Sequence, residues 1–159
     1  MEEVETAKEM LFGLIKRMGV EPEVRGSLKE GYLCLEVEGD REGILIGKRG
    51  RTLEALEVII NRMVNKRVEE PVRVVLEIDR YRERRTESLG KLADRLGERV
   101  KREGKAISIG PLNAQERRVI HMALQGDRLV KTESIGEGPL KKISILPRKA
   151  EGERIEPLE

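Results

Sequence analysis

Hydrophobic positions along the chain switch between the helical period and the strand period, and the switches mark its elements. Residues 3–18 place Val4, Ala7, Leu11, Leu14, Ile15 and Met18 on one helical face, and Gly19 ends that stripe. Val20 to Gly26 reads as a short extended piece weakened by Pro22. After a turn at Lys29-Glu30-Gly31, the run Tyr32 to Glu38 alternates. Leu33, Leu35 and Val37 face one side, and Cys34, Glu36 and Glu38 the other. A short apolar turn, Gly43-Ile44-Leu45-Ile46, leads through Gly47-Lys48-Arg49-Gly50 into an amphipathic helix. That helix is expected to bury Leu53, Leu56, Ile59, Ile60, Met63 and Val64. Pro71 closes it, and Val72, Val74, Leu76 and Ile78 alternate as a third strand. The first half is therefore helix, two strands, two helices, strand.

From Arg80 to Glu103 the pattern becomes a long polar helix with a thin seam at Leu89, Leu92, Leu96 and Val100, closed by Gly104. Gly90 and Gly97 each cost about 1 kcal/mol against Ala there, which suggests that backbones approach closely at both. We expect this segment to connect a first unit to a second. Ala106 to Ile109 is a short strand broken by Pro111. Asn113 and Glu116 have capping-box spacing before a helix that runs to Gln125. Leu129–Ser134 and Lys141–Leu146 complete the second unit as two strands joined across Gly136-Glu137-Gly138-Pro139. The expected division is residues 1–79, a connecting helix over 80–103, a small α/β unit over 104–149, and a loose acidic tail over 150–159. The class is α+β.

Composition narrows the function. The 18 Leu, 13 Ile and 13 Val suffice for one or two small cores in 159 residues, whereas Phe12, Tyr32 and Tyr81 are the only rings. A binder that stacks successive bases on an aromatic platform is therefore not expected. Cys34 stands alone, which excludes an intrachain disulfide. The amino terminus is acidic where a signal peptide would be basic, and no stretch approaches the roughly 18 apolar residues of a membrane span. A cytoplasmic chain without membrane insertion is expected. Heavy use of Glu, Lys and Arg beside three Asn, two Gln and one Cys resembles hyperthermophile composition.

Net charge is only +2, but it is segregated: −5 over residues 1–40, +4 over 41–68, +1 over 69–103, +5 over 104–149 and −3 over 150–159. Two basic blocks suggest a polyanion touching two places. In the first, Gly47-Lys48-Arg49-Gly50 can cradle a phosphate. Glycines let a sugar-phosphate chain approach, the two cations add charge, and amides at the following helix N-terminus are expected to point outward. The alternative is a plain helix–helix turn.

In the second block, His121 is the only histidine, and Arg117 lies one turn before it. Both fall outside the apolar arc of Val119, Ile120, Ala123 and Leu124, with Arg118 farther round the polar face. Two donors so placed can hold a phosphate or a base edge. Arg80, Arg82, Arg84 and Arg85 either extend that track or form a solvated helix start balanced by Asp79, Glu83 and Glu87. Neither a metal-ligand spacing nor a nucleophile relay is present, so no enzyme, metal or cofactor is expected.

Ile44-Leu45-Ile46-Gly47-Lys48-Arg49-Gly50-Arg51-Thr52-Leu53-Glu54-Ala55-Leu56 resembles the signature of a bacterial KH domain, and the element order resembles its type II topology (α-β-β-α-α-β). Glu116 to His121, followed by Lys131 to Pro139, resembles the single-strand-binding domain named for its Arg-x-x-x-His pair, and Tyr81 to Arg85 belongs to the same pattern. Over about residues 30–148 the chain thus resembles the Jag (SpoIIIJ-associated) family. The resemblance implies a single-stranded RNA-binding protein acting in post-transcriptional control of cell elongation and envelope growth.

By that resemblance Gly47, Lys48, Arg49 and Gly50, with Arg51, would hold the RNA backbone. Arg117 and His121, with Arg118, would contact it from the second unit. A small single-KH protein is the family's expected partner, and a homodimer is a further expectation. Many members carry an extra domain before the KH unit, whereas here a helix and short strand precede it. Two alternatives from the residues are a protein-interaction adaptor that dimerises through the KH unit and a ribosome-assembly factor.

Overall fold

The computed structural model describes residues 2–148; the expected acidic tail lies outside the described residues. The chain divides after Arg82 into two compact units, each with its own hydrophobic core.

The first unit contains α1 (Glu2–Arg17), β1 (Glu23–Lys29), β2 (Tyr32–Glu38), α2 (Arg51–Asn65) and β3 (Arg73–Ile78). The sheet order is β1-β2-β3, with β1 antiparallel and β3 parallel to the central β2. The two helices cover one face, where Leu33, Leu35 and Val37 meet Ala7, Leu11, Ile15, Leu53, Leu56 and Ile60. The extended piece expected at Val20–Gly26 lies three residues later, because a two-residue turn at Glu30-Gly31 sets the register Lys29↔Tyr32. The first of the two expected central helices is a single 3-10 turn. Residues 44–46 form turns, followed by a three-residue 3-10 segment at Lys48–Gly50. Cys34, on the polar side of the alternation, is buried in β2 between Ser27 and Val75, and that burial raises the pKa of its thiol.

One edge of the first sheet is closed by side chains. Glu57, Asn61 and Asn65 recur every fourth residue of α2 and run along β3. The Asn61 amide both donates to the Val74 carbonyl (2.6 Å) and accepts from the Val74 N–H (2.8 Å). Asn65 does the same at Val72, at 2.8 Å both ways, and Glu57 accepts from the Leu76 N–H at 2.8 Å. Outward-facing backbone groups of β3 are thereby satisfied without a further strand.

The second unit contains α3 (Tyr81–Glu103, whose first two residues belong to the first unit), β4 (Ile107–Leu112), α4 (Ala114–Leu124), β5 (Val130–Ile135) and β6 (Lys141–Pro147). Its sheet order is β4-β6-β5, antiparallel throughout. α3 supplies Leu89, Ala93, Leu96 and Val100 to the core, where they pack with Ile120, Leu124, Ile143 and Ile145. Pro111, expected to break β4, lies inside it. The strand absorbs it with a register irregularity between Ile109 and Leu112.

The two glycines of α3 differ. A Cβ on Gly97 would stand 2.8 Å from Leu124 Cδ2, so α3 and α4 approach closely there. A Cβ on Gly90 would meet nothing within 4 Å, so the expected close approach is absent. Gly90→Ala is accordingly expected to stabilise the protein by about 0.5–1 kcal/mol through helix propensity and unfolded-state entropy. A higher urea midpoint at unchanged slope would show it; an unchanged or lower midpoint would contradict it.

α3 is tied to the loop after α4 by Lys101, whose ammonium donates to Asp127 Oδ2 at 2.8 Å; the Leu129 N–H donates to Asp127 Oδ1 at 2.9 Å. The Lys101 bond, then the Leu129 amide, holds the Asp127 carboxyl below its ordinary value of 3.8. A depressed carboxyl pKa contributes stability above the ordinary value and loses it as pH falls through the folded-state value. Asp127→Asn should therefore flatten the loss of stability as pH falls from about 5 to below the ordinary value of 3.8, read from urea midpoints. Parallel curves for the two proteins would refute the assignment.

Candidate nucleic-acid interface

The Gly47–Gly50 loop owes its shape to glycine at both ends. Gly47 has φ 69° and ψ −176°, a region reserved for glycine, and a Cβ there would collide with the Thr52 hydroxyl. Gly50 has φ 78°, and its Cβ would lie 2.6 Å from Cε1 of Tyr81, whose ring rests against it. Between them Arg49 is itself left-handed, at φ 57°. Lys48, Arg49 and Arg51 are exposed, whereas Gly50 is buried.

The amides at the head of α2 do not point outward as expected. The left-handed Gly50 folds the loop back on the helix, so the Arg51 N–H donates to the Lys48 carbonyl. The N–H groups of Thr52 and Leu53 share the Ile46 carbonyl at 3.1 and 3.2 Å. The Arg51, Thr52 and Leu53 amides are therefore engaged within the loop, and the exposed cations around it are Lys48, Arg49 and Arg51.

In the second unit, Arg117, Arg118 and His121 line one cavity of about 270 Å³ together with Ala114, Thr132, Ser134 and Ile143. α4 is oriented by a complete capping box. Glu116 N–H donates to Asn113 Oδ1 at 2.9 Å, and Asn113 N–H to Glu116 Oε2 at 3.0 Å. Arg117 is fixed by donating from Nη1 to the Leu112 carbonyl (2.8 Å) and from Nε to Ser134 Oγ (3.1 Å). His121 Nδ1 and Thr132 Oγ1 share a hydrogen bond of 2.7 Å, its direction set by the imidazole tautomer. Sequence reasoning does not single out Thr132 and Ser134 as site residues, although their alternate spacing in β5 puts both hydroxyls on the α4 side.

Two arginines considered for an extended track have structural partners instead. Arg82 bonds the Leu76 carbonyl and Glu57 (3.0 Å), and Arg85 donates to Glu116 Oε1 at 2.8 Å. The carboxylates beside these two are thus Glu57 and Glu77 for Arg82 and Glu116 for Arg85. Among the described residues, no group of three or more His, Cys, Asp or Glu side chains could hold a metal ion, and no helix is long and apolar enough to cross a membrane.

A sheet with a glycine-bounded basic loop, followed by a helix-and-sheet unit with a seated Arg–His pair, defines a KH protein extended by an Arg-x-x-x-His (R-three-H) domain. Residues 5–78 match the family model described as KhpA/KhpB, KH domain, and residues 87–147 match that of the R-three-H domain. The chain belongs to the Jag family, whose relatives bear the name KhpB. The RNA-binding protein KhpB of Clostridium symbiosum is 42% identical over 128 residues, covering 80% of this chain and 58% of that protein. RNA-binding protein KhpB of Lactiplantibacillus plantarum is 33% identical over 139 residues (87% and 43%), and that of Bacillus subtilis 35% over 111 residues (69% and 53%). The chain spans about half the length of these curated relatives.

Proposed function

We propose that this chain is a non-enzymatic, cytoplasmic protein that binds single-stranded RNA at two places. One is the Gly47–Gly50 loop with Arg51; the other is the cavity lined by Arg117, Arg118 and His121. The observation that carries the reading is the pair of basic sites, one per unit: exposed Lys48, Arg49 and Arg51 at a glycine-bounded loop, and Arg117, Arg118 and His121 lining one cavity. Relatives named RNA-binding proteins support it. A role in post-transcriptional control of cell elongation and envelope growth, and a small single-KH protein as partner, follow from the family resemblance.

Binding should depend strongly on salt. If about four phosphates are neutralised, log affinity against log salt should fall with a slope near −3, from about 0.7 per phosphate on a single strand. Titrating a labelled single-stranded RNA over a salt series tests this, and a slope near zero would exclude backbone contacts as the source of affinity.

A second reading, an adaptor that pairs through the KH unit, is favoured by Val58 and Ile59, which are 56% and 44% exposed on the outer face of α2. For Ile59 this corrects the core position that its helical spacing predicts. Strand pairing at β3 is disfavoured, since Asn61 and Asn65 cover that edge. Mass in solution for wild type and for Val58→Asp with Ile59→Asp separates the readings: an oligomer dissolved by these changes, with no crosslinked RNA, supports the adaptor.

A further inference from the structure

The Gly47–Gly50 loop is held from behind by two carboxylates that no sequence motif singles out. Asp79 follows β3, and its two oxygens are divided between adjacent amides: Gly39 N–H donates to Oδ1 at 3.0 Å and Asp40 N–H to Oδ2 at 2.9 Å. Asp40 is buried, and its Oδ2 accepts from both Leu45 N–H and Ile46 N–H at 3.0 Å. The Ile46 carbonyl in turn accepts from the Thr52 and Leu53 amides of α2, and Gly47 N–H donates to the Gly43 carbonyl at 2.8 Å. A continuous set of bonds thus runs from the end of β3 to the loop. Asp79 and Arg80 both have positive φ, at 47° and 53°. Two successive non-glycine residues in that region are costly and persist only where surrounding bonds enforce them.

We propose that Asp79 and Asp40 form a two-step relay that holds the Gly47–Gly50 loop in its binding shape. They are positioning residues of the RNA site and make no contact with RNA. The inference rests on the RNA reading of that loop. If binding requires the ordered loop, affinity scales with the fraction of molecules that have it, so loosening the relay weakens binding without removing any cation.

Each carboxylate can be disabled by a single small change. Asp79 uses both oxygens, so Asp79→Asn sets an amide NH2 against a backbone N–H and breaks one bond, while Asn tolerates positive φ well. Asp40 uses one oxygen for both amides, and its Oδ1 has no hydrogen-bond partner among the described residues. Asp40→Ala therefore leaves both amides without their acceptor.

The test uses the full chain, a labelled single-stranded RNA of mixed sequence, and amide hydrogen exchange. D79N is expected to bind about tenfold more weakly, and Asp40→Ala, which removes the acceptor of both loop amides, at least as weakly. In D79N, exchange should quicken at Gly39, Asp40, Leu45 and Ile46 but not at Leu33 and Leu35 in the middle strand. Wild-type affinity in D79N, or equal acceleration at Leu33 and Leu35, would overturn the relay, the latter because it marks a general loss of stability. If wild type binds no RNA, or Lys48→Asp with Arg49→Asp binds as wild type does, the RNA reading fails. The exchange pattern then judges the relay by itself.

Discussion

Replacing Lys48 and Arg49 together by Asp is expected to weaken binding of single-stranded RNA by at least about a hundredfold and to leave the fold intact. The change turns two positive charges into two negative ones at an exposed loop. Because the helix amides behind the loop are already bonded to Lys48 and Ile46, no backbone donors at the head of α2 compensate. With two of about four phosphate contacts gone, the salt slope should drop from about −3 to about −1.4, the remainder coming from the second unit. Stability should move by no more than about 0.5 kcal/mol, since both side chains are on the surface and Asp accepts the left-handed conformation at residue 49 at least as well as Arg. Titration, the salt series and thermal unfolding measure the three quantities. Undiminished affinity in a folded double variant would remove this loop from the site.

The largest effect on stability is expected from Glu116→Ala. Glu116 is buried, its side chain 11% exposed, and it serves two neighbours at once. It closes the capping box with Asn113, and it accepts from Arg85 Nε at 2.8 Å. Loss of half the box costs roughly 1 kcal/mol, and stranding a guanidinium that is largely covered costs roughly 1.5–3 kcal/mol more. A loss of about 3 kcal/mol should lower the melting temperature of the second unit by more than about 10 °C. Glu116→Gln retains the box but sets its NH2 against Arg85, and should lose about two-thirds as much. Function should follow, because Arg117 sits in the first turn of the helix that this box orients, its own N–H donating to the Asn113 carbonyl. A melting shift below about 3 °C would show that Arg85 finds another partner.

Much of the local structure is readable from single features. The strict alternation of Tyr32–Glu38 and Val72–Ile78, the stripe of residues 3–18 and the Asn113/Glu116 spacing all report on neighbours within a few residues. Local geometry decides them, so a linear pattern suffices. The errors cluster where distant parts meet. Ile59 has helical spacing for the core, yet the β3 edge needs side chains from α2, and the helix turns Asn61 and Asn65 toward it. Pro111 ought to stop a strand, but a register irregularity in the pairing with β6 accommodates it.

The amino-acid sequence by itself determined the α+β class, the two basic blocks and the position of the Gly47–Gly50 and Arg117–His121 motifs, since each depends on residue type and short spacing. Only the tertiary structure decided how those motifs are held. Tyr81 on Gly50, Asp79 beneath Gly39 and Asp40, Arg85 on Glu116, and Thr132 and Ser134 against His121 and Arg117 join residues 11 to 40 positions apart. A carboxylate or hydroxyl carries no mark of its partner in the sequence. Its role appears only when the burial of two cores brings it within hydrogen-bond distance of a group that must be satisfied.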